Sequence, residues 1–365
     1  MKKNIFKFGS LAAFALAFSI GLTSCGGGNG SANGSDSASS SNEAITGAGS
    51  SFDNPLFSKM FAVYHDSAKV EVNYQSVGSG AGISQLTGKT VDFGASDAPM
   101  NGKQDTAAGA TVLHIPVTAG AVVVAYNLPE VKDTLKFTPE VLANIFLGKI
   151  TKWNDPAIAA ANPGVKLPAT AILVAHRSDG SGTTAIFTSF LDKVSPEWHT
   201  KVGTSSSVNW PAGVGGKGNE GVAGVVKQTP GGIGYTELAY AIQNNIAYGK
   251  VQNKAGNFIV PTIESVTAAA NINIPADGKI WISNTDAADG YPISGFSWVL
   301  LYQEQGYGNR SQEQAAQLVN LINWMIHNGQ QYGAALHYAP LSAAAVSVGE
   351  ALLKSATYKG QPILK

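Results

Sequence analysis

The sequence predicts an α/β protein of two domains, and three observations predict it. Apolar runs of strand length alternate with segments of helical period, the pattern of helices packed on largely parallel sheets. About 320 residues follow residue 43, enough for two domains of ordinary size, and 44% of the chain is apolar. The 42 glycines cluster where strand-like segments meet helix-like ones, joints at which backbone N–H groups lie bare.

The chain opens with a segment outside this fold. Lys2, Lys3 and Lys7 precede an apolar stretch from Leu11 to Leu22, which has signal-peptide length and is too short and wrongly flanked for a spanning helix. It ends in Leu22-Thr23-Ser24-Cys25, which resembles the lipobox of bacterial lipoproteins, so residues 1–24 are expected to be removed and Cys25 acylated. Cys25 is the only cysteine, which leaves no thiol for disulfides, zinc sites or nucleophilic catalysis in the body. In the tether 25–43, the residues after Cys25 are Gly, Ser, Asn and Ala apart from Asp36 and Glu43, with almost nothing to bury. Such a tether behaves as a coil and holds the body about 20 to 25 Å from a bilayer. The membrane contact expected is therefore the lipid anchor alone.

Charge narrows the partners. The 24 basic and 24 acidic residues cancel, and removal of Lys2, Lys3 and Lys7 leaves 21 against 24, a formal charge of minus three. Nucleic acid and anionic membrane surfaces are poor partners for such a body. Nor can it gather anions by its overall field, so an anion site has to rely on local dipoles, and helix starts supply them.

Strand-like runs lie at Val70 to Tyr74, Thr111 to Pro116, Ala121 to Tyr126, Ala171 to Ala175 and Phe296 to Tyr302. Helices carry Leu56, Met60 and Val63, and later Leu318, Leu321, Ile322 and Met325 at i, i+3, i+4 and i+7.

Three glycine-rich turns stand between such elements. Arg177 ends a strand and Ser178-Asp179-Gly180-Ser181-Gly182-Thr183 opens a helix, placing hydroxyls, amides and a planar guanidinium at a helix N-terminus. Asp179 is placed to orient Arg177. Taken alone, this turn reads equally as a capped helix with a surface arginine. Gly78-Ser79-Gly80-Ala81-Gly82 is a second strand-to-helix turn, and Thr46-Gly47-Ala48-Gly49-Ser50-Ser51-Phe52 a third, ahead of the helix that Asn54 and Pro55 start. Three such turns with one arginine suit a multivalent oxyanion. Asp97 by itself reads as a turn residue. Beside an oxyanion it gains meaning only if the guest carries a proton: phosphate has a P–OH to donate at neutral pH and sulfate has none.

Other motifs are weaker. Gly213-Val214-Gly215-Gly216-Lys217-Gly218 matches a dinucleotide-binding spacing but follows Trp210-Pro211 rather than a strand, and is discounted. The six histidines show no metal-ligand spacing, His176 reads as a strand residue, and no P-loop lysine motif is present. No cofactor or metal is expected.

The ordered blocks Thr46-Gly47-Ala48-Gly49, Asn73-Tyr74-Gln75 with Gly78-Ser79, Val91 to Pro99, Leu147 to Asp155, Arg177 with Asp179 to Thr183, and Gly215 to Asn219 with Gly231 to Tyr235 resemble the phosphate-binding protein of the Pst-type phosphate ABC importer. The resemblance runs from about Ile45 almost to the C-terminus. It implies a two-lobed periplasmic-binding-protein fold of type II, with two mixed sheets, helices on both faces and two hinge strands around an interlobe cleft. Lobe one would be 44–117 plus 291–365, and lobe two 118–290. The phosphate ligands it implies are Ser50, Ser51 and Phe52, Ser79, Asp97 as proton acceptor, Arg177, and Ser181, Gly182 and Thr183, with Asp179 orienting Arg177. Ser51 stands where the family often has Thr. The resemblance further implies a non-enzymatic, exported monomer of the periplasm or cell envelope that hands phosphate to the membrane permease subunits and ATPase of an importer. A receptor for sulfate, molybdate or arsenate, and from other classes a phosphate-ester hydrolase or a surface adhesion protein, remain alternatives at this point.

Overall fold

A computed structural model describes residues 44–364. The leader 1–24, the tether 25–43 and Cys25 lie outside the described residues. In chain order the elements that frame the site are β1 (Ile45–Gly49), α1 (Asn54–Ala68), β2 (Val72–Ser76), α2 (Ser79–Thr87), β3 (Phe93–Ser96) and β4 (Val112–Tyr126). They continue with β5 (Leu173–Arg177), α3 (Gly182–Val194), β6 (Val214–Gly216), α4 (Gly218–Gln228), β7 (Gly232–Glu237) and α5 (Leu238–Gln243). Last come β8 (Ala247–Tyr248), β9 (Ser294–Tyr302) and α6 (Gln312–Ile326).

Eight of these nine strands form one continuous path in the order β2-β1-β3-β9-β4-β7-β5-β6, and the ninth, β8, lies off it against β4. The two sheets expected from the resemblance are thus present as two halves sharing a strand. From Val112 to Ala121, β4 pairs with β9; from Val122 to Tyr126 it pairs with β7. The runs at Thr111 to Pro116 and Ala121 to Tyr126, read as separate strands, are one. Gly120 in the join has no side chain, and a Cβ there would sit 2.6 Å from the Phe52 ring. The chain stays extended beneath that ring instead of turning.

The largely parallel sheets read from the alternation are corrected to mixed pairing, as the resemblance implies. β1, β2 and β3 are parallel to one another, and β5, β6 and β7 likewise, but the two central strands β4 and β9 run antiparallel to their neighbours and to each other. A strand that passes from one half of the sheet to the other cannot arrive by a βαβ crossover, so the parallel pattern breaks there.

Helices cover both faces. α1 buries Leu56, Phe57, Met60, Phe61 and Tyr64, while Val63 from the predicted stripe is only half-buried. α6 buries Leu318, Leu321, Ile322 and Met325 as its period predicts. From Gly182 to Leu191, α3 is buried around its whole circumference. A helix buried on every side sits between layers rather than on a surface.

Candidate functional site

Parallel register decides where the turns emerge. Gly49 at the end of β1 pairs with Ser76 at the end of β2 and with Ala95 in β3, so the turns that follow, at 50–53, 77–79 and 96–98, leave the same edge. In the other half Arg177 ends β5 opposite Gly216 at the end of β6, and β7 runs parallel beside them, so 178–181, 217–219 and the end of β7 also share an edge. Ligand sites of open α/β sheets lie at such carboxyl ends. The two edges face each other: Gly80 N donates to Gly180 O at 2.9 Å and Gly182 N to Ser79 Oγ at 3.1 Å.

Every hydroxyl at this junction has an assigned task. Ser79 Oγ accepts from Gly182 N and from Asp97 N at 3.4 Å, and Ser51 Oγ accepts from Asn219 N at 3.1 Å and Asn219 Nδ2 at 3.0 Å. A hydroxyl has two acceptor positions and one proton. With both acceptor positions filled, Ser51 and Ser79 are left to donate to a guest. Thr183 Oγ1 accepts from Arg177 Nη1 and Asn219 Nδ2 and donates to Asp97 Oδ2 at 3.4 Å. Ser50 Oγ accepts from Phe52 N and donates to Asp97 Oδ1. The Phe52 amide, proposed by resemblance as a ligand, is thereby held by Ser50, and the Phe52 carbonyl accepts from Tyr338 OH at 2.6 Å.

Arg177 is 3% exposed, and its charge is balanced locally. Its Nε and Nη2 donate to the two oxygens of Asp179 at 2.8 and 2.5 Å, the bidentate fork expected of an orienting carboxylate, and Gly218 N donates to the same carboxylate at 3.1 Å. Burial alone raises the Asp179 carboxyl, but the Arg177 hydrogen bonds and charge, with the Gly218 amide, hold it below its ordinary value. Ser181 caps α3: its Oγ accepts from Thr184 N at 3.0 Å, and its own amide donates to Ser206 O. It borders the junction but stands outside the side-chain network that links Ser50, Ser51, Ser79, Asp97, Arg177 and Thr183. Gly182 is the point of closest approach. A Cβ there would lie 2.6 Å from both Asp97 N and Ser79 Oγ.

Asp97 is 1% exposed, and burial pushes its carboxyl up to about 6, against the lowering effect of Ser50, Ser297, Arg177 and Thr183. Above that pH it is an anion amid donors. The junction therefore offers donors on most sides and an acceptor on one, which fits an oxyanion carrying a proton.

Sequence reasoning missed several neighbours. Asn219 was hidden by the discounted glycine run: Val214–Gly216 itself forms β6 and Gly218 begins α4, so the strand-to-helix turn was present without an apolar strand to announce it. Ser297 lies within the apolar β9 and reaches Asp97 Oδ1 at 3.0 Å. Tyr240 OH, from α5, donates to Ser51 O at 2.6 Å. Asp53, next in sequence to three proposed ligands, is fully buried against Ser297.

The sequence model of the PBP superfamily domain matches residues 32–328. The chain is 45% identical over 301 residues to the phosphate-binding protein PstS of Xylella fastidiosa, covering 81% of each chain. It is 43% identical over 307 residues to PstS of Haemophilus influenzae, covering 83% of this chain and 90% of that one. The solved phosphate-binding protein of Stenotrophomonas maltophilia shares the fold at a TM-score of 0.63 and 19% identity, over 83% of this chain and 92% of that one. With superfamily match, sequence identity and fold in agreement, the chain belongs to the PstS family of phosphate-binding proteins.

Proposed function

We propose that this chain captures inorganic phosphate outside the cytoplasmic membrane and delivers it to an ABC importer, as a binding protein and not an enzyme. The observation that carries the reading is Asp97, a buried carboxylate ringed by donors from both halves of the sheet. It takes the P–OH, while the hydroxyls of Ser51 and Ser79, the Arg177 guanidinium and the start of α3 at Gly182 and Thr183 serve the remaining oxygens. In this reading Ser50 and Phe52 brace Asp97 from one side, Ser181 caps the helix that presents Gly182 and Thr183, and Asp179 aims Arg177. The names of the relatives reported above favour phosphate over the sulfate, molybdate, hydrolase and adhesion readings.

The lobe division we infer is 44–117 with 291–365 against 118–290. It is supported by the change of partner along β4 at Ala121 and Val122 and by the entry into β9 at Ser294. Donors lie on both sides of this division, so a closed form alone serves every oxygen and phosphate shifts the population toward it. The anchor at Cys25, a monomeric state, and docking on the permease subunits with their ATPase complete the proposal. Calorimetric titration of the purified full-length protein tests it: one phosphate per chain is expected, with sulfate at least about a hundredfold weaker, the ~3 kcal/mol of an unmatched buried acceptor. No heat with phosphate, or equal affinity for sulfate, overturns it.

A further inference from the structure

The Ser297 hydroxyl lies within reach of three oxygens: Asp53 Oδ2 at 2.5 Å, Asp97 Oδ1 at 3.0 Å and Ser96 O at 3.3 Å. It has one proton to give. If that proton goes to Asp53, the Ser297 oxygen faces Asp97 with nothing between them, and two carboxylates sit fully buried around one hydroxyl. If Asp53 carries a proton of its own, each contact has a donor: Asp53 Oδ2 donates to Ser297, and Ser297 donates to Asp97. Two acids that share a site cannot both ionise cheaply.

We propose that Asp53 is a further specificity-determining residue of the site: it holds a proton, donates it to Ser297, and so commits the Ser297 hydroxyl to Asp97, keeping Asp97 an acceptor for the guest's P–OH. The inference rests on the phosphate reading above and adds to it a positioning role that no ligand contact requires. The surroundings favour the neutral acid. Asp53 is fully buried, its Oδ1 has no partner among the described residues, and it feels Asp97 from the turn after β3 and Glu237 from the end of β7. Tyr74 of β2 and Tyr338 also face it, and the Arg177 guanidinium acts on Asp97. Burial, then the Asp97 charge, raise the Asp53 carboxyl well above its ordinary value.

Removing Asp53 leaves the Ser297 oxygen without its donor and weakens the bond that Ser297 gives Asp97, because linked hydrogen bonds polarise one another; Ser297→Ala removes that bond outright. In either variant Asp97 gains proton affinity and, once protonated, becomes a donor that tolerates a fully deprotonated guest. Titration of full-length wild type, Asp53→Ala, Asp53→Asn and Ser297→Ala with phosphate and with sulfate at pH 8 tests this. Asp53→Ala and Ser297→Ala are expected to narrow the phosphate-over-sulfate ratio about tenfold or more. Asp53→Asn, whose amide still donates to Ser297, is expected to restore most of it. A wild-type ratio in Asp53→Ala and Ser297→Ala, or an Asp53→Asn as permissive as Asp53→Ala, overturns the inference. Should Asp53→Ala fail to fold by circular dichroism, the Ser297→Ala and Asp53→Asn pair decides. Loss of phosphate binding by the wild type would instead defeat the functional reading itself.

Discussion

At the scale of the residue, Asp97 is at once the group that repels an anion and the one that selects a protonated anion. Asp97→Asn exchanges an acceptor for a donor. Phosphate affinity is expected to fall roughly ten- to a hundredfold, the ~1.5 to 3 kcal/mol of a hydrogen bond to a charged group, while sulfate competes better than in wild type. Competition calorimetry reads both, and an unchanged selectivity excludes the acceptor role. The same carboxyl has a signature in the protein without phosphate. Its folded value of about 6 exceeds the ~3.9 of an unfolded chain, so its stabilising effect is full below about pH 4 and is lost as pH rises through about 6. The melting-temperature difference between wild type and Asp97→Asn is expected to move in the variant's favour across that window, and a constant difference contradicts the shift. Which residues were legible follows from how they are coded. Ser79, Asp97, Arg177 and Thr183 stand in local patterns of turn, strand end and helix start. Ser297 does not: its neighbours Phe296, Trp298 and Val299 mark a buried strand, and only the pairing of β9 with β3 and β4, more than 170 residues away, turns its hydroxyl toward Asp97.

At the scale of the element, the decisive object is the start of α3. Gly182 lets the helix end come against Asp97 and Ser79, and a methyl group would have to displace backbone. Gly182→Ala suits a helix and costs the isolated element nothing. It is therefore expected to weaken phosphate binding by about a hundredfold or more, ~3 kcal/mol, with little change in the melting temperature of the unliganded protein. Titration beside a thermal melt checks this, and near-normal affinity shows that the two edges need not approach so closely. Elements were legible where apolar period was strong, as in α1 and α6, and illegible where it was absent. The strand Val214–Gly216 is mostly glycine and is held by its pairing with β5, so nothing in its own composition marks it as a strand.

At the scale of the whole molecule, the α/β class and the meeting of three turns were readable because alternation and glycine placement are local. The mixed pairing was legible only through the family resemblance and not from the alternation, since the direction of β4 and β9 depends on a chain that passes twice between the halves. Closure around phosphate is expected to lower the radius of gyration in solution scattering and to raise the melting temperature by several degrees, about 2.7 kcal/mol at a hundredfold excess over Kd. A scattering curve indifferent to phosphate excludes hinge closure.

The strand common to both halves, 15 residues long and buried almost throughout, carries one last implication. In the closure proposed above, it is the torsion bar about which the two halves swing, since it pairs with one half along its first part and with the other along its end. On that proposal, release of the cargo calls for a torque between the two halves rather than a contact with the cargo itself.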